Sequence, residues 1–168
     1  MTERDNFIQI CDLTTNLMGL EKGSLALKSR KQHLQIPRMV ASMVARIEDK
    51  IPHTIIADVL NRHRTLVYHY EKMHQGNYIW KKYRDAFNKV YIAYKKMESE
   101  KKIFVDKYRM KEYLLSNGVQ QSKKSEVRIK ILSGKVGVII TTSYMDFSNQ
   151  LENIKFALQE YKYKMEIL

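Results

Sequence analysis

The chain has a single cysteine, Cys11, in 168 residues. No intrachain disulfide can form, which fits a reducing compartment. Proline (2) and glycine (6) are scarce, so little interrupts long helices. No run approaches the ~18 apolar residues of a membrane-spanning helix, and the opening MTERDNF lacks an apolar leader core. These absences predict a soluble, cytoplasmic protein with no membrane partner. Acidic residues are also few: 18 Asp and Glu face 30 Lys and Arg, for a formal charge of +12. That excess implies an anionic partner, whether nucleic acid, a membrane surface or an acidic protein, and charge alone does not choose among them. The length allows one core, or one core with a small appendix.

Apolar periodicity then divides the chain. A first helix is predicted over about Asp5 to Leu17, stopping near Gly19, with a short turn of structure around Gly23 to Leu27. KSRKQHLQIPR, residues 28 to 38, is basic and aperiodic and reads as a loop. Pro37 suits the first turn of the helix that follows, in which Val40, Met43, Val44 and Ile47 recur at helical spacing. Pro52 and Thr54 mark the next start, and Ile55, Ile56, Val59 and Leu60 form a short amphipathic helix. After Asn61 a further helix is predicted from Thr65 to His74, ended by Gly76. Its inner side carries Leu66, Val67, Tyr70 and Met73, and its outer side Thr65, Tyr68, His69 and Lys72. A long helix bearing the core stripe Tyr83, Phe87, Val90, Tyr91, Tyr94 and Met97 is expected next, running on toward Leu115.

Asn117-Gly118 is a stop signal and residues 119 to 125 read as a linker, so the domains are drawn as 1–117 and 118–168. In EVRIKILSGKVGVII, residues 126 to 140, apolar and charged residues alternate about Ser133-Gly134. That turn would pair Ile131 with Val136, Ile129 with Val138 and Val127 with Ile140. An isolated hairpin is marginal in water, so it must pack on the final helix, on the front domain or on a second copy. Phe147, Leu151, Ile154, Leu158, Tyr161 and Met165 make a heptad-like seam in a last helix. The seam either lies under the hairpin or forms a homodimer interface.

ADVLNRHRTLVYHYEK, residues 57 to 72, crowds Arg62, His63 and Arg64 into the corner between two short amphipathic helices. A helix-turn-helix, at about 53–74, explains the crowding. Its second helix enters the major groove, and its N-terminal residues meet phosphates and base edges. Thr65, Tyr68 and His69 project from the same helix, and Lys28, Arg30, Lys31 and Arg38 offer further cations to the DNA. Bland alternatives stand beside these: a solvated loop, a surface Tyr68, a structural His69. HYEKMH, residues 69 to 74, carries two histidines, but residues five apart on a helix diverge by about 140°, so no metal is expected. Nor does the basic region cluster carboxylates as a nuclease would.

Three pieces of residues 5 to 95 resemble the C-terminal DNA-binding domain of the bacterial replication initiator DnaA, which is related to the Trp-repressor type of helix-turn-helix. They are KSRKQHLQIPR, IIADVL at 55 to 60, and RHRTLVYHYEKM at 62 to 73. The last resembles the signature Arg-Asp-His-Thr-Thr-Val-x-His-Ala, matched as it stands by Arg62, Thr65, Val67 and His69. Order and spacing agree, apart from a turn about one residue shorter here. The resemblance implies that Arg30 enters the minor groove, that Arg38 contacts a phosphate, and that Arg62, Thr65 and His69 lie at the major groove. His63, Arg64, Leu66 and Met39 depart from the family at base-reading positions, so the target sequence need not carry over. With no Gly-x-x-x-x-Gly-Lys-Ser/Thr loop, the initiator's ATPase module is absent and no nucleotide or other cofactor is expected.

The expected fold is mainly α: a bundle like the initiator's DNA-binding domain, with a helix-turn-helix, then a long helix, a small C-terminal β-hairpin and a helix. The expected function is non-enzymatic binding of double-stranded DNA in replication initiation or transcription regulation, as would suit a phage or mobile element. The alternative is an adaptor that recruits a partner through residues 119 to 168.

Overall fold

The computed structural model describes residues 1–168. It contains seven α-helices and one small antiparallel sheet, arranged as two compact units: Glu3–Met97, and Glu98–Leu168 together with Met1–Thr2. No helix is long and apolar enough to cross a membrane.

The first unit is wholly helical. Helix α1 (Glu3–Met18) buries Phe7, Ile10 and Cys11, and stops where Gly19 takes φ +68°. A 3-10 turn at Ser24–Ala26 leads to α2 (Gln32–Asp49). Here the sequence expectation needs correcting. The aperiodic loop is short, and Pro37 lies inside the helix rather than at its start. Leu34 and Ile36 explain the difference. Both are buried, each contributing about 1.5–3 kcal/mol, which offsets the roughly 3 kcal/mol that an interior proline costs. Val40, Met43 and Val44 are core residues as the spacing predicts, whereas Ile47 is exposed.

Helix α3 (His53–Val59) and α4 (Arg64–Ile79) are joined at a corner where Asn61 adopts φ +53°. Asparagine tolerates this left-handed conformation better than most side chains. Helix α4 is longer than predicted. Gly76 sits within it, because its last turns pack on α5 (Lys81–Glu100): His74 bonds to the Tyr83 hydroxyl at 2.8 Å, and Tyr78 donates to Asn88 at 2.9 Å. Val67 and Tyr70 are buried as expected, but Leu66 is only half-buried and Met73 is exposed. The α5 stripe of Tyr83, Phe87, Val90 and Tyr94 is core; Tyr91 is part-buried and Met97 exposed.

In the second unit the long helix ends at Glu100 instead of running on. Lys102 forms a parallel bridge with Tyr161, and a separate helix, α6 (Lys107–Ser116), starts on an Asp106 cap that accepts from the Arg109 amide at 2.8 Å. Met110 and Leu114 of α6 join the second core, so the compact units divide near residue 97, not at 117. The 119–125 segment is pinned rather than loose. Val119 is buried, and the Gln120 and Ser122 amides donate to the Gln150 side chain and the Thr141 carbonyl.

Strands β1 (Val127–Ser133) and β2 (Val136–Thr142) form the hairpin, but its turn is Gly134-Lys135. Ile131 therefore pairs with Val138, Ile129 with Ile140, and Val127 with Thr142. The slip is two positions along β2, so the same side chains still face the core. Ser133 sets the register: it is fully buried, donates to the Lys162 carbonyl at 2.8 Å and accepts from the Phe104 amide at 3.2 Å, which holds it in the strand. Gly134, at φ +60°, supplies the turn.

The predicted terminal seam is also broken. Helix α7 (Phe147–Ala157) stops, and Met165 lies in a third strand, β3 (Lys164–Ile167), which pairs antiparallel with β1 to give the order β2-β1-β3. Ile154 and Leu158 are buried in the second core, and Tyr161 stacks on Phe104 at 4.2 Å. Phe147 and Leu151, at the start of that seam, are only partly buried against the same core.

Candidate nucleic-acid interface

The basic loop and the α3–α4 corner, far apart in sequence, meet through two arginines. Arg38 on α2 is only 2% exposed. Its Nε donates to the Leu25 carbonyl at 2.7 Å, Nη1 to that of Ser29 at 2.5 Å, and Nη2 to that of Leu27. Arg62, in the corner, donates through Nη2 to the Leu27 carbonyl at 2.6 Å and to Ser29 at 3.3 Å. These carbonyls point inward, and the loop is folded around guanidinium groups. Burial, and then the nearby Arg62 charge, hold Arg38 below the ordinary arginine value. Its expected phosphate contact is therefore corrected: Arg38 is an internal clamp and Arg62 a strut. Neither side chain could have been assigned this work from local pattern, because the partners are backbone carbonyls of a loop.

The remaining cations stay outward. Lys28, Arg30, Lys31 and Arg64 are exposed, and Arg64 is the first residue of α4. His63 caps that helix: its Nδ1 accepts from the Thr65 amide at 3.4 Å and lies 2.9 Å from the Thr65 hydroxyl. His63 and Thr65 thus satisfy each other while remaining exposed. Tyr68 is 53% exposed but has a face occupied, stacked on His53 at 3.9 Å and 16°. The Nε2 of that imidazole bonds Glu71, which Arg46 also approaches at 3.4 Å. The His53 hydrogen bond, with help from Arg46, holds Glu71 below the ordinary carboxylate range. His53 and Glu71 were not foreseen as neighbours of Tyr68, and no local signal marks them.

Between the loop and α4 runs an open cleft of about 770 Å³. One wall is a stripe of α4 that includes Leu66, His69, Met73 and Asn77. The other is formed by Gln35, Arg38 and Met39 of α2 and by Lys28 to Arg30. Trp80, just after α4, also lines it, and no carboxylate does. His69 faces this cleft, whereas His74 turns to Tyr83 and Phe87, where burial lowers its pKa. The two histidines therefore diverge. The cleft itself escaped the sequence reading because Leu66 and Met73 carry an ordinary core signature.

Arg30, Lys28, Arg62 and His69 are thus assembled on one surface of the first unit, with Arg64 and Thr65 at the start of the helix that carries His69. Such a surface can meet polyanions through its outward cations and the amides at the start of α4. No protein-family model, no curated protein and no solved structure matches this chain.

Proposed function

We propose that the chain is a non-enzymatic double-stranded DNA-binding protein, acting in replication initiation or transcription control. The N-terminal end of α4 enters the major groove and the loop carrying Arg30 enters the adjacent minor groove, in the manner of the initiator-type domain that residues 5 to 95 resemble. The observation that carries this reading is the pair of bonds from Arg62 to the Leu27 and Ser29 carbonyls. They fasten the cationic loop to the corner preceding α4, which a protein spanning adjacent grooves requires. The net charge of +12 supports the same reading.

Duplex binding measured by fluorescence anisotropy across a salt series tests it. Arg30→Ala and Arg64→Ala should each weaken binding and reduce the log–log salt slope by about 0.9 per lost phosphate contact. No binding to a random-sequence duplex at low salt overturns the proposal.

The adaptor reading keeps one favourable observation: Tyr144 and Met145, between β2 and α7, are 73% and 93% exposed. Under that reading Met145→Lys abolishes partner recruitment and leaves duplex binding intact.

A further inference from the structure

The cleft has a chemical polarity that duplex contact does not use. At the corner end lie Lys28, Arg30 and Arg62. Along its length both walls are aliphatic and sulfur-rich, with Leu66 and Met73 facing Met39, and beyond the α4 wall stands Trp80, 44% exposed. From Leu66 to Asn77 the α4 wall extends about 17 Å, at 1.5 Å per residue. An extended chain of roughly five residues matches that span. Arg38 and Arg62 are held by backbone carbonyls, but no carboxylate in the lining faces Lys28 and Arg30, so negative charge on an occupant is favoured there.

We propose that this cleft is a docking groove for an acidic, amphipathic segment of a protein partner. Its carboxylates meet Lys28, Arg30 and Arg62, and its apolar side chains settle on Met39, Met73 and Trp80. Charge complementarity selects this occupant. A second copy of this chain is strongly cationic and is repelled. A single nucleic-acid strand needs a succession of aromatic platforms, whereas the exposed rings of this lining are only His69 and Trp80, and Met39, Leu66 and Met73 make up the rest of its apolar surface. Methionines are unbranched and adaptable, which suits varied apolar side chains. Because Arg30 and His69 also belong to the proposed duplex surface, the docked segment competes with DNA; that competition alone rests on the DNA-binding reading.

Trp80 is the sole tryptophan, so its emission reports occupancy of the groove in the intact chain. The probe is a synthetic peptide with glutamates at one end and leucine and phenylalanine at the other. Saturable change in Trp80 emission is expected. Affinity should fall by about tenfold or more in Met73→Asp and in Lys28→Glu. Both positions are exposed, and unchanged far-UV circular dichroism verifies that each variant folds. Equal affinity for a peptide with glutamine in place of glutamate overturns the charge assignment. Equal affinity for an all-glutamate peptide overturns the apolar one. A single-stranded oligonucleotide that shifts Trp80 where the peptide does not puts a nucleic-acid strand in the groove instead. Duplex binding without peptide binding refutes the groove and leaves the DNA reading standing; peptide binding without duplex binding does the reverse.

Discussion

Arg38 and Arg62 donate to the same two backbone carbonyls, those of Leu27 and Ser29. Two like charges converge there because each carbonyl oxygen has two lone pairs. The result is a loop whose shape depends on side chains from a different helix and a different turn. Arg62→Ala should therefore free residues 27 to 31 while leaving the core intact. Hydrogen exchange should rise in that segment, with a stability loss of about 1–2 kcal/mol. Duplex binding should fall as well, by loss of placement. Arg62→Lys should not restore exchange protection, since an ammonium lacks the planar fork.

Arg38→Ala should be more damaging. It strips donors from three carbonyls in a buried setting, so a loss of about 3 kcal/mol in urea unfolding is expected. A loss below about 1 kcal/mol would show that water replaces the guanidinium.

Asn61 tests the corner. Its φ of +53° favours residues that tolerate the left-handed region. Asn61→Ala should destabilise by about 1–2 kcal/mol, and Asn61→Gly should be near neutral. Thermal unfolding of both variants decides this, and equal effects would remove the conformational argument.

His74 gives the first unit a pH dependence. Burial lowers its folded pKa below the ordinary value of 6.5, so the folded state disfavours the proton. The stability held by the neutral ring is complete above that ordinary value and is lost as pH falls through the depressed one. The urea midpoint should drop on acidification from pH 7.5 to 5, and the drop should shrink in His74→Gln.

Ser133 anchors the second unit. Ser133→Ala leaves the Phe104 amide and the Lys162 carbonyl without their side-chain partner, at a cost of about 1–3 kcal/mol. The same variant should let the hairpin sample the Ser133-Gly134 turn, visible as altered cross-strand contacts in NMR. An unchanged spectrum and stability would contradict the role given to Ser133.

Much of the helical layout was legible because it is local. Gly19, Asn61 and Asn117-Gly118 mark breaks through backbone preference, and the Tyr83–Tyr94 stripe marks a buried face through spacing. The corner at residues 61 to 64 was legible for the same reason. What failed was whatever local pattern shares with its rivals. Leu66 and Met73 read as core but line a cleft, since apolar spacing does not say which element covers a face. The seam from Phe147 to Met165 has a helical period, yet its end became a strand.

By itself, then, the sequence determined roughly where most of the helices lie, which side chains alternate on the hairpin, and a net charge of +12, because these depend on propensity, period and summed charge. Only the tertiary structure decided that Arg38 is a buried clamp, that Arg62 fastens the loop to the corner, that Ser133 sets the hairpin register, and that the chain's end completes a three-stranded sheet. Those outcomes depend on hydrogen bonds and burial between segments distant in sequence, which no local window contains.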